Sequence, residues 1–481
     1  MASVQPVQKL PFKLYPQSKS STGVYSYYQS SPIITFTFAQ NDMRRITSDS
    51  LFVCGRLRIK NKNKSNQPAN RFDLVSKNAS TDSATFEQVC YIDDRIGCNA
   101  VLNSVNVGDL NGSLYENAKN YNRNLSSIIG ATNSYKHLCC LSNMSLTACP
   151  NNDVQAREVC SDIEFSLPLY NGFFRSNPEV NLLRGLEIKI DLASDNQVLF
   201  GKDASNFVYE LYDVYLMGDY RIYEKPAKQD AMQYVSYHNY SKVLNSGNDH
   251  QNINLALSMV NNVYHNFIPD TWSNNYKYSS FSTCPLLQKD GDDYKVAKIK
   301  RYTVNRGAIR FPLNYAVDET YINANSAGYP AVISREYLNA IMPYNKNKSS
   351  LLSPQSEARG DMVELRGTLG GNAGKLDWLR TPQNCDQGLV PSWQKTNTGT
   401  DTAPVYEWRR TGNKEKAANV TGIGTQLDPL HARFWADYTS ASYNYDIQSE
   451  IDDTPNNVFV FATAVTKLQG AGGSKQIVAV H

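Results

Sequence analysis

Residues 184–195, RGLEIKIDLASD, alternate regularly between apolar and charged side chains. The apolar positions are Leu186, Ile188, Ile190 and Leu192. The charged positions between them are Glu187, Lys189 and Asp191. Such alternation is typical of a β-strand with one buried face and one solvated face. The stretch therefore predicts a two-layered β-structure, provided that other strands of the same kind occur in the chain.

The composition favours β-structure throughout. Tyrosine is abundant, at 31 of 481 residues, and it suits half-buried pleated surfaces, while frequent Asn and Ser suit turns. A chain of this length exceeds one ordinary core, so two domains of roughly 200 residues each are expected. The net charge of only +3 does not require a nucleic-acid partner.

The cysteine pattern and the apolar runs indicate the cellular compartment in which the protein is expected. The nine cysteines are odd in number and form no CxxC pair, and Cys139 is adjacent to Cys140. This pattern favours free thiols in a reducing cytosol over a disulfide scaffold or a zinc site. No run approaches 18 apolar residues and no signal-peptide core is visible, so we expect a protein that is not secreted.

A pattern in the first half of the chain recurs in the second. IKIDLAS at 188–194 has an echo in YNYDIQS at 443–449. Each is followed by a long strand-like segment that begins with Asn, NFVYELYDV at Asn206 and NVFVFATAV at Asn457. Two matches in the same order predict a duplicated β-domain, and the polar segment 224–231 reads as the linker between the copies.

Little helix is expected. The segment 112–141 is the only helical-looking part of the first half, and 334–342 predicts a helix in the second. A Gly-, Asn-, Ser- and Thr-rich stretch from about 345 to 419 predicts a long surface loop. Residues 1–30 show no period and indicate an unfolded arm. This arm carries Lys9, Lys13 and Lys19 before the first acidic residue, so it is either a frayed terminus or a segment that meets a negative surface.

Motifs that resemble catalytic sites do not meet the requirements of the chemistry. YIDD at 91–94 and GDD at 291–293 match polymerase metal turns, but they fall in different halves, and GDD is flanked by charged residues. GTLGGNAGK at 367–375 lacks both the first glycine and the hydroxyl residue of a phosphate-binding loop. The six histidines show no metal-binding spacing. The sequence therefore predicts no enzyme, no metal and no cofactor.

Several segments together resemble a known family. They are EFSLPLYNGFF, LLRGLEIKIDLAS and NFVYELYDVYL in the first half, and INLALSMVNNVYHNFIP and NNVFVFATAVTKL in the second. In order and kind they are similar to strands of the double jelly-roll major capsid proteins of tailless icosahedral DNA viruses, above all those of virophages and polinton-like viruses. The resemblance covers roughly residues 30–470.

The resemblance implies an all-β fold of two tandem eight-stranded jelly rolls, with short helices and long surface loops. Each roll is two packed sheets, so Leu186, Ile188, Ile190 and Leu192 would form an inter-sheet core. The implied divisions are an N-terminal arm at 1–30, a first roll at 31–225, a second roll at 226–470 with the loop insertion at about 345–419, and a flexible C-terminal tail at 471–481.

The implied function is that of a major capsid protein that trimerises into pseudo-hexameric capsomers and tiles an icosahedral shell. Its partners would be further copies of itself, a penton or vertex protein and minor cement proteins. The basic arm, with Lys9, Lys13 and Lys19, would face the interior and make non-specific contact with the genome or an internal membrane. The protein would be made in the cytoplasm or nucleus of the host cell and would reside in the virion.

Three other interpretations stay open at this point, and one of them, a bacterial or host surface adhesin, would be expected to carry a secretion signal. A vertex or spike protein of such a virus would usually carry one roll rather than two. A carbohydrate-active β-sandwich protein would be expected to show an acidic pair, an aromatic platform and a secretion signal. The oligomeric state distinguishes these classes, because a capsid subunit is expected to be an obligate trimer.

Overall fold

The computed structural model describes most of the first half of the chain and mainly the strands of the second half. The described residues are 6, 8–18, 23–30, 32–69, 75–78, 85–88, 90–92, 96–125, 162–201, 203–227, 232–254, 257, 260–270, 276, 287–290, 293–296, 299–306, 309–311, 317–318, 392–397, 406–411, 433–435, 444–451, 456–470 and 477–480.

The described part of the first half consists of strands with a few short helical segments. Its strands are β1 (Gln8–Leu14), β2 (Ile33–Phe38), β3 (Asn41–Thr47), β4 (Phe52–Asn61), β5 (Gln67–Pro68), β6 (Val75–Asn78), β7 (Thr85–Gln88), β8 (Tyr91–Ile92), β9 (Leu102–Gly108), β10 (Leu114–Ala118), β11 (Asp162–Pro168), β12 (Glu179–Leu182), β13 (Leu186–Leu192), β14 (Leu199–Phe200) and β15 (Phe207–Ile222). Its named helices are α1 (Gly172–Ser176) and α2 (Asp195–Val198), and residues 121–125 are also helical.

Eight of these strands form two packed sheets. One sheet has the order β1-β15-β4-β11 and is extended by β3, β5 and β12, and the other has the order β2-β13-β9-β10. The eight strands of these two orders can be renumbered 1 to 8 along the chain, and they are β1, β2, β4, β9, β10, β11, β13 and β15. In this numbering the two sheets have the orders 1-8-3-6 and 2-7-4-5. This arrangement of eight strands in two sheets is a jelly roll. We call it the first sandwich.

The core of the first sandwich lies between its two sheets. The apolar side chains of β13 are at most 2% exposed, and they are Leu186, Ile188, Ile190 and Leu192. Ile188 lies opposite Phe36 of β2 on one side and opposite Val107 of β9 on the other, and all three are fully buried. The charged residues of β13 are half-buried on the opposite face.

The second half repeats this arrangement. Its strands are β16 (Met232–Leu244), β17 (Gly247–Asn254), β18 (Val260–Pro269), β19 (Leu287–Asp290), β20 (Asp293–Val296), β21 (Ile299–Arg306), β22 (Ile309–Phe311), β23 (Val317–Asp318), β24 (Ser392–Asn397), β25 (Tyr406–Thr411), β26 (Arg433–Trp435), β27 (Asn444–Ile451), β28 (Asn456–Gly470) and β29 (Ile477–Val480). The two principal sheets have the orders β16-β28-β18-β26 and β17-β27-β21-β22.

The second sandwich, formed by these two sheets, therefore also has the orders 1-8-3-6 and 2-7-4-5. The repeated sequence segments occupy equivalent places in the two sandwiches. IKIDLAS begins within β13 and YNYDIQS overlaps β27, and both strands are seventh in their sandwich. The long strands that follow, β15 and β28, are both eighth. The predicted all-β class with short helices is confirmed, and the duplication is visible in the strand order.

Three segments differ from the sequence-based expectation. Residues 8–14 of the expected arm form β1, which pairs with β15 over its whole length. Part of the expected C-terminal tail forms β29, which pairs with the end of β28. Within the segment 112–141, which looked helical, residues 114–118 form β10, because pairing with β9 overrides a weak helix propensity, whereas residues 121–125 are helical as expected.

Other expectations fall largely outside the described residues. The region from 345 to 419 was expected to be a loop, and the part of it that is described is an antiparallel hairpin of β24 and β25. The helix expected at 334–342 lies outside the described residues. In the described part of the chain, no helix is both long and apolar enough to cross a membrane.

Candidate functional site: the junction between the two sandwiches

The two sandwiches meet around a buried carboxylate, Glu116 of β10, which is 3% exposed. The register of β10 against β9 shifts between Leu114 and Glu116. Irregular pairing of this kind re-aims a side chain, and here both Tyr115 and Glu116 are buried. Glu116 accepts hydrogen bonds from the backbone N–H groups of Gly172 at 3.1 Å and Phe173 at 2.9 Å. It thereby joins β10 to the start of α1.

The same carboxylate also reaches the second sandwich. It accepts a hydrogen bond of 2.9 Å from the backbone N–H of Tyr237, on β16. Burial raises the pKa of Glu116 to about 7, while these N–H donors oppose the rise. Because β16 is an edge strand, its outward N–H groups would otherwise lack partners. Glu116 satisfies one of them, and Ser176 Oγ accepts from the N–H of Val235 at 2.9 Å.

Aromatic rings fill the space around Glu116. The ring of Phe173 stacks on that of Tyr115, with centroids 5.2 Å apart, and meets that of Tyr234 edge-to-face at 5.1 Å. Tyr234 is on β16, and its hydroxyl donates a hydrogen bond to the backbone carbonyl of Tyr115. The three rings belong to one continuous buried cluster that extends across both sandwiches. The junction therefore resembles a protein core rather than a loose surface contact.

Close backbone approach at the junction requires a glycine. A Cβ atom on Gly172 would lie 1.9 Å from the carbonyl oxygen of Val235, far inside van der Waals contact. The backbone of α1 and that of β16 therefore touch directly. Any larger residue at 172 would have to push the two sandwiches apart.

A second set of contacts lies on the outer face of the sheet that contains β16 and β28. The guanidinium of Arg123, which is buried, lies 4.5 Å from the ring centroid of Phe459 on β28. Burial lowers the pKa of Arg123 to about 10. Asn120 donates a side-chain hydrogen bond to Asn239 of β16. The first sandwich thus covers both the edge strand β16 and the outward side of β28.

The site residues expected from the sequence lie elsewhere. Leu186, Ile188, Ile190 and Leu192 lie in the core of the first sandwich, as described above. Lys9 and Lys13 lie on β1. The ammonium of Lys9 is 2.9 Å from a carboxylate oxygen of Asp219, and that of Lys13 lies 3.8 Å from the ring centroid of Tyr215. Both lysines therefore contact β15 instead of extending from a free arm. Lys19 lies outside the described residues.

The motifs that resembled catalytic sites form no constellation in the described residues. Tyr91 and Ile92 of YIDD form β8, and the two aspartates lie outside the described residues. GDD falls at the connection between β19 and β20, whose Asp290 and Asp293 are paired. Residues 367–375 are not among those described. Within the described residues, no group of three or more His, Cys, Asp and Glu side chains is placed to hold a metal ion.

Sequence reasoning missed the junction. Glu116 stands in a Glu-, Asn- and Lys-containing segment that reads as solvated, and a lone carboxylate gives no signal of a partner. Gly172 and Phe173 were within a segment, EFSLPLYNGFF, that carried the family resemblance, but nothing linked them to Tyr237. The available signal was NGFF itself, a glycine followed by two large rings directly after a strand.

The fold defines the class of protein as a tandem jelly roll with a buried junction. The structure is similar to that of VP54 of PBCV-1, as fitted into a cryo-EM reconstruction of the virophage Sputnik, with 10% identity, a TM-score of 0.47 and coverage of 98% of this chain and 97% of that one. It is also similar to the cryo-EM structure of Sputnik, with 10% identity, a TM-score of 0.46 and coverage of 98% and 88%.

A third similar structure is that of the major capsid protein P2 of bacteriophage PM2, with 8% identity, a TM-score of 0.28 and coverage of 95% of this chain and 98% of that one. The PM2 protein is a viral major capsid protein, the class that the sequence resembles. No protein-family model and no curated protein matches the sequence.

Proposed function

We propose that this chain is the major capsid protein of an icosahedral virus. Three copies would form a pseudo-hexameric capsomer, and capsomers would tile the shell. One observation carries the proposal: two sandwiches with the same strand order are joined side by side in one chain by a buried, core-like junction. Such a chain is a rigid pair of equivalent building blocks.

The physical reason is geometric. Two equivalent sandwiches per chain and three chains around an axis give six similar units, which approximate a hexagon and can fill a flat facet. Contacts between such blocks can each be weak, because many of them act together in a closed shell. A net charge of only +3 lets like subunits pack without strong repulsion. The role is structural and requires no catalytic residue.

The proposal includes the partners and the location. The protein would reside in the virion, in contact with other copies of itself, with a vertex protein and with minor cement proteins. Contact of the N-terminal residues with the genome or an internal membrane stays a prediction. Lys9 and Lys13 would make such a contact from the paired strand β1 rather than from a free arm.

The oligomeric state of the purified chain tests the proposal. We expect light scattering on the size-exclusion peak to give three times the mass of one chain, and negative-stain images of that peak to show hexagonal outlines. A monomer at every concentration, without hexagonal particles, would exclude the capsomer and favour a carbohydrate-active β-sandwich protein.

A further inference from the structure

In the described part of the chain, the two sandwiches differ in whether their first and eighth strands are covered by another sandwich. Strands β1 and β15 hold the first and eighth places in the first sandwich, as β16 and β28 do in the second. In the second sandwich this pair of strands is covered by the first sandwich, through the N–H groups of Val235 and Tyr237 and the ring of Phe459. In the first sandwich, none of the described residues covers the corresponding surface in the same way.

The outward surface of β1 and β15 has an aromatic centre, which we call the tyrosine face. Its residues are Lys13, Tyr15, Tyr212, Tyr215 and Met217. Tyr15 is 60% exposed and Met217 is 43% exposed. The ammonium of Lys13 lies over the rings of Tyr15 and Tyr215, at 5.1 Å and 3.8 Å from their centroids. Large exposed aromatic and Met side chains that are grouped in this way mark interaction surfaces.

The rim of the tyrosine face is polar and contains ion pairs. On one side Lys9 pairs with Asp219 at 2.9 Å. On the other, Arg58 pairs with Asp162 at 3.3 Å, and Tyr212 donates a hydrogen bond to the same aspartate. A surface with an aromatic centre, a single lysine over its rings and ion pairs at its rim does not select a highly charged partner such as nucleic acid. It suits a partner that is itself nearly neutral, as another copy of this chain is.

The contact inside the chain shows how such a copy could dock. The junction is heterologous, because different surfaces of the two sandwiches meet: the β10 and α1 side of the first, and the β16 and β28 side of the second. Repetition of a heterologous contact closes into a ring when the rotation allows it. If the same contact recurs between chains, the second sandwich of one copy covers β1 and β15 of the next.

We propose that the tyrosine face is the surface by which the first sandwich binds the second sandwich of a neighbouring copy. The neighbour would present its β22 side, which corresponds to the β10 side of the first sandwich. This inference rests on the proposed trimer and assigns its contact between chains. It also gives β1 a role, since the free edge of that strand would be covered as the edge of β16 is.

A charge placed in the centre of the tyrosine face tests the inference. We expect Met217→Lys to raise the chain concentration at which half of the trimer dissociates at least tenfold, because a second ammonium would be buried there beside that of Lys13, the cross-strand partner of Met217. Leu114→Lys is the matched control, since Leu114 is apolar and 52% exposed but lies outside the face. Light scattering over a dilution series measures both, and circular dichroism melts confirm that each variant is folded.

The outcomes separate the two proposals. A wild-type trimer that Met217→Lys dissociates and Leu114→Lys leaves intact supports the inference. A Met217→Lys variant with the dissociation midpoint of the wild type overturns the inference and leaves the trimer standing. A wild-type chain that is monomeric throughout overturns the proposed function and the inference with it.

Photo-crosslinking covers the case in which Met217→Lys does not fold. A benzophenone amino acid in place of Tyr15, which is already exposed, should crosslink to a second chain. We expect the attachment points, mapped by mass spectrometry, to lie within residues 232–481. Attachment points confined to the first half of the second chain would contradict the assignment.

Discussion

Glu116 lies where three distant parts of the chain meet, and backbone N–H groups from two of them stabilise its charge. Its carboxylate has no basic side chain among the hydrogen-bond partners described above, and burial raises its pKa from 4.5 to about 7. The nearby Tyr121 and Tyr234 have pKa values that burial raises above the usual 10, so neither titrates in the neutral range. Glu116 is therefore a junction group expected to change charge near neutral pH.

The raised pKa predicts how stability depends on pH. Because the folded state holds the proton more tightly than the unfolded state, this contribution is fully present below pH 4.5 and is lost as the pH rises through about 7. The contribution of Glu116 to the free energy of unfolding is at most about 3 kcal/mol. Urea unfolding at a series of pH values from 5 to 8 measures it.

Variants isolate the contribution of Glu116. Glu116→Gln should remove most of that slope, because the amide is uncharged at every pH, although it has one acceptor oxygen instead of two. Glu187→Gln is the control, since Glu187 lies half-buried on the solvated side of β13 and should keep the slope. A Glu116→Gln variant that keeps the full slope would show that other groups, such as Asp195 with its pKa raised to about 6, are responsible.

Among the elements, the sequence predicted those whose side chains alternate strictly. β13 was recognisable because each charged residue stands between two apolar residues that are buried. β10 was not recognisable, because the register shift buries two consecutive residues, Tyr115 and Glu116, and breaks the period of two. The period of a strand is visible in the sequence only where its pairing is regular.

β1 was missed for a different reason. Its sequence, QKLPFKL, contains a proline and two lysines, which indicate an arm when read alone. The same residues are typical of an edge strand, where proline costs no hydrogen bond and lysine discourages pairing with other chains. Only the partner strand β15 distinguishes the two cases, and it lies about two hundred residues further along the chain.

The anchoring of β1 can be tested at Phe12. The ring of Phe12 lies edge-to-face on Phe38 at 5.4 Å and beside Tyr220 at 4.3 Å, above Gly218. We expect Phe12→Ala to lower the free energy of unfolding by about 3 kcal/mol. Pro11→Ala, at an exposed position of the same strand, should change it by less than about 1 kcal/mol. Equal, small effects in chemical denaturation would indicate that residues 8–14 are not held as a strand.

At the scale of the whole molecule, the duplication could be predicted and the junction could not. The echo of IKIDLAS in YNYDIQS depends on local pattern, which a single sequence displays. The junction depends on Glu116, Gly172 and Tyr237, which are far apart in the chain and unremarkable in their own segments. These residues come into contact only when the two folded sandwiches pack against each other, and no local sequence pattern predicts that packing.

Gly172 is the position where the fit of the two sandwiches can be disturbed. A methyl group there would collide with the Val235 carbonyl, so we expect Gly172→Ala to destabilise the junction by about 3 kcal/mol and to split one unfolding transition into two. Circular dichroism during urea unfolding reports both effects. Gly23→Ala is the control, because its φ of +72° gives a strain of only about 1 kcal/mol and open space surrounds it. A single transition with the wild-type midpoint would refute the expectation.

The junction has a consequence for the kinetics of assembly. It forms while each chain folds, when the two sandwiches are held at a high effective concentration by the linker between them. In the proposed ring of six sandwiches, three of the six contacts therefore exist before any two chains meet. Ring formation from fused pairs depends on the third power of the chain concentration rather than the sixth. The fused chain can thus nucleate at concentrations too dilute for separate single sandwiches.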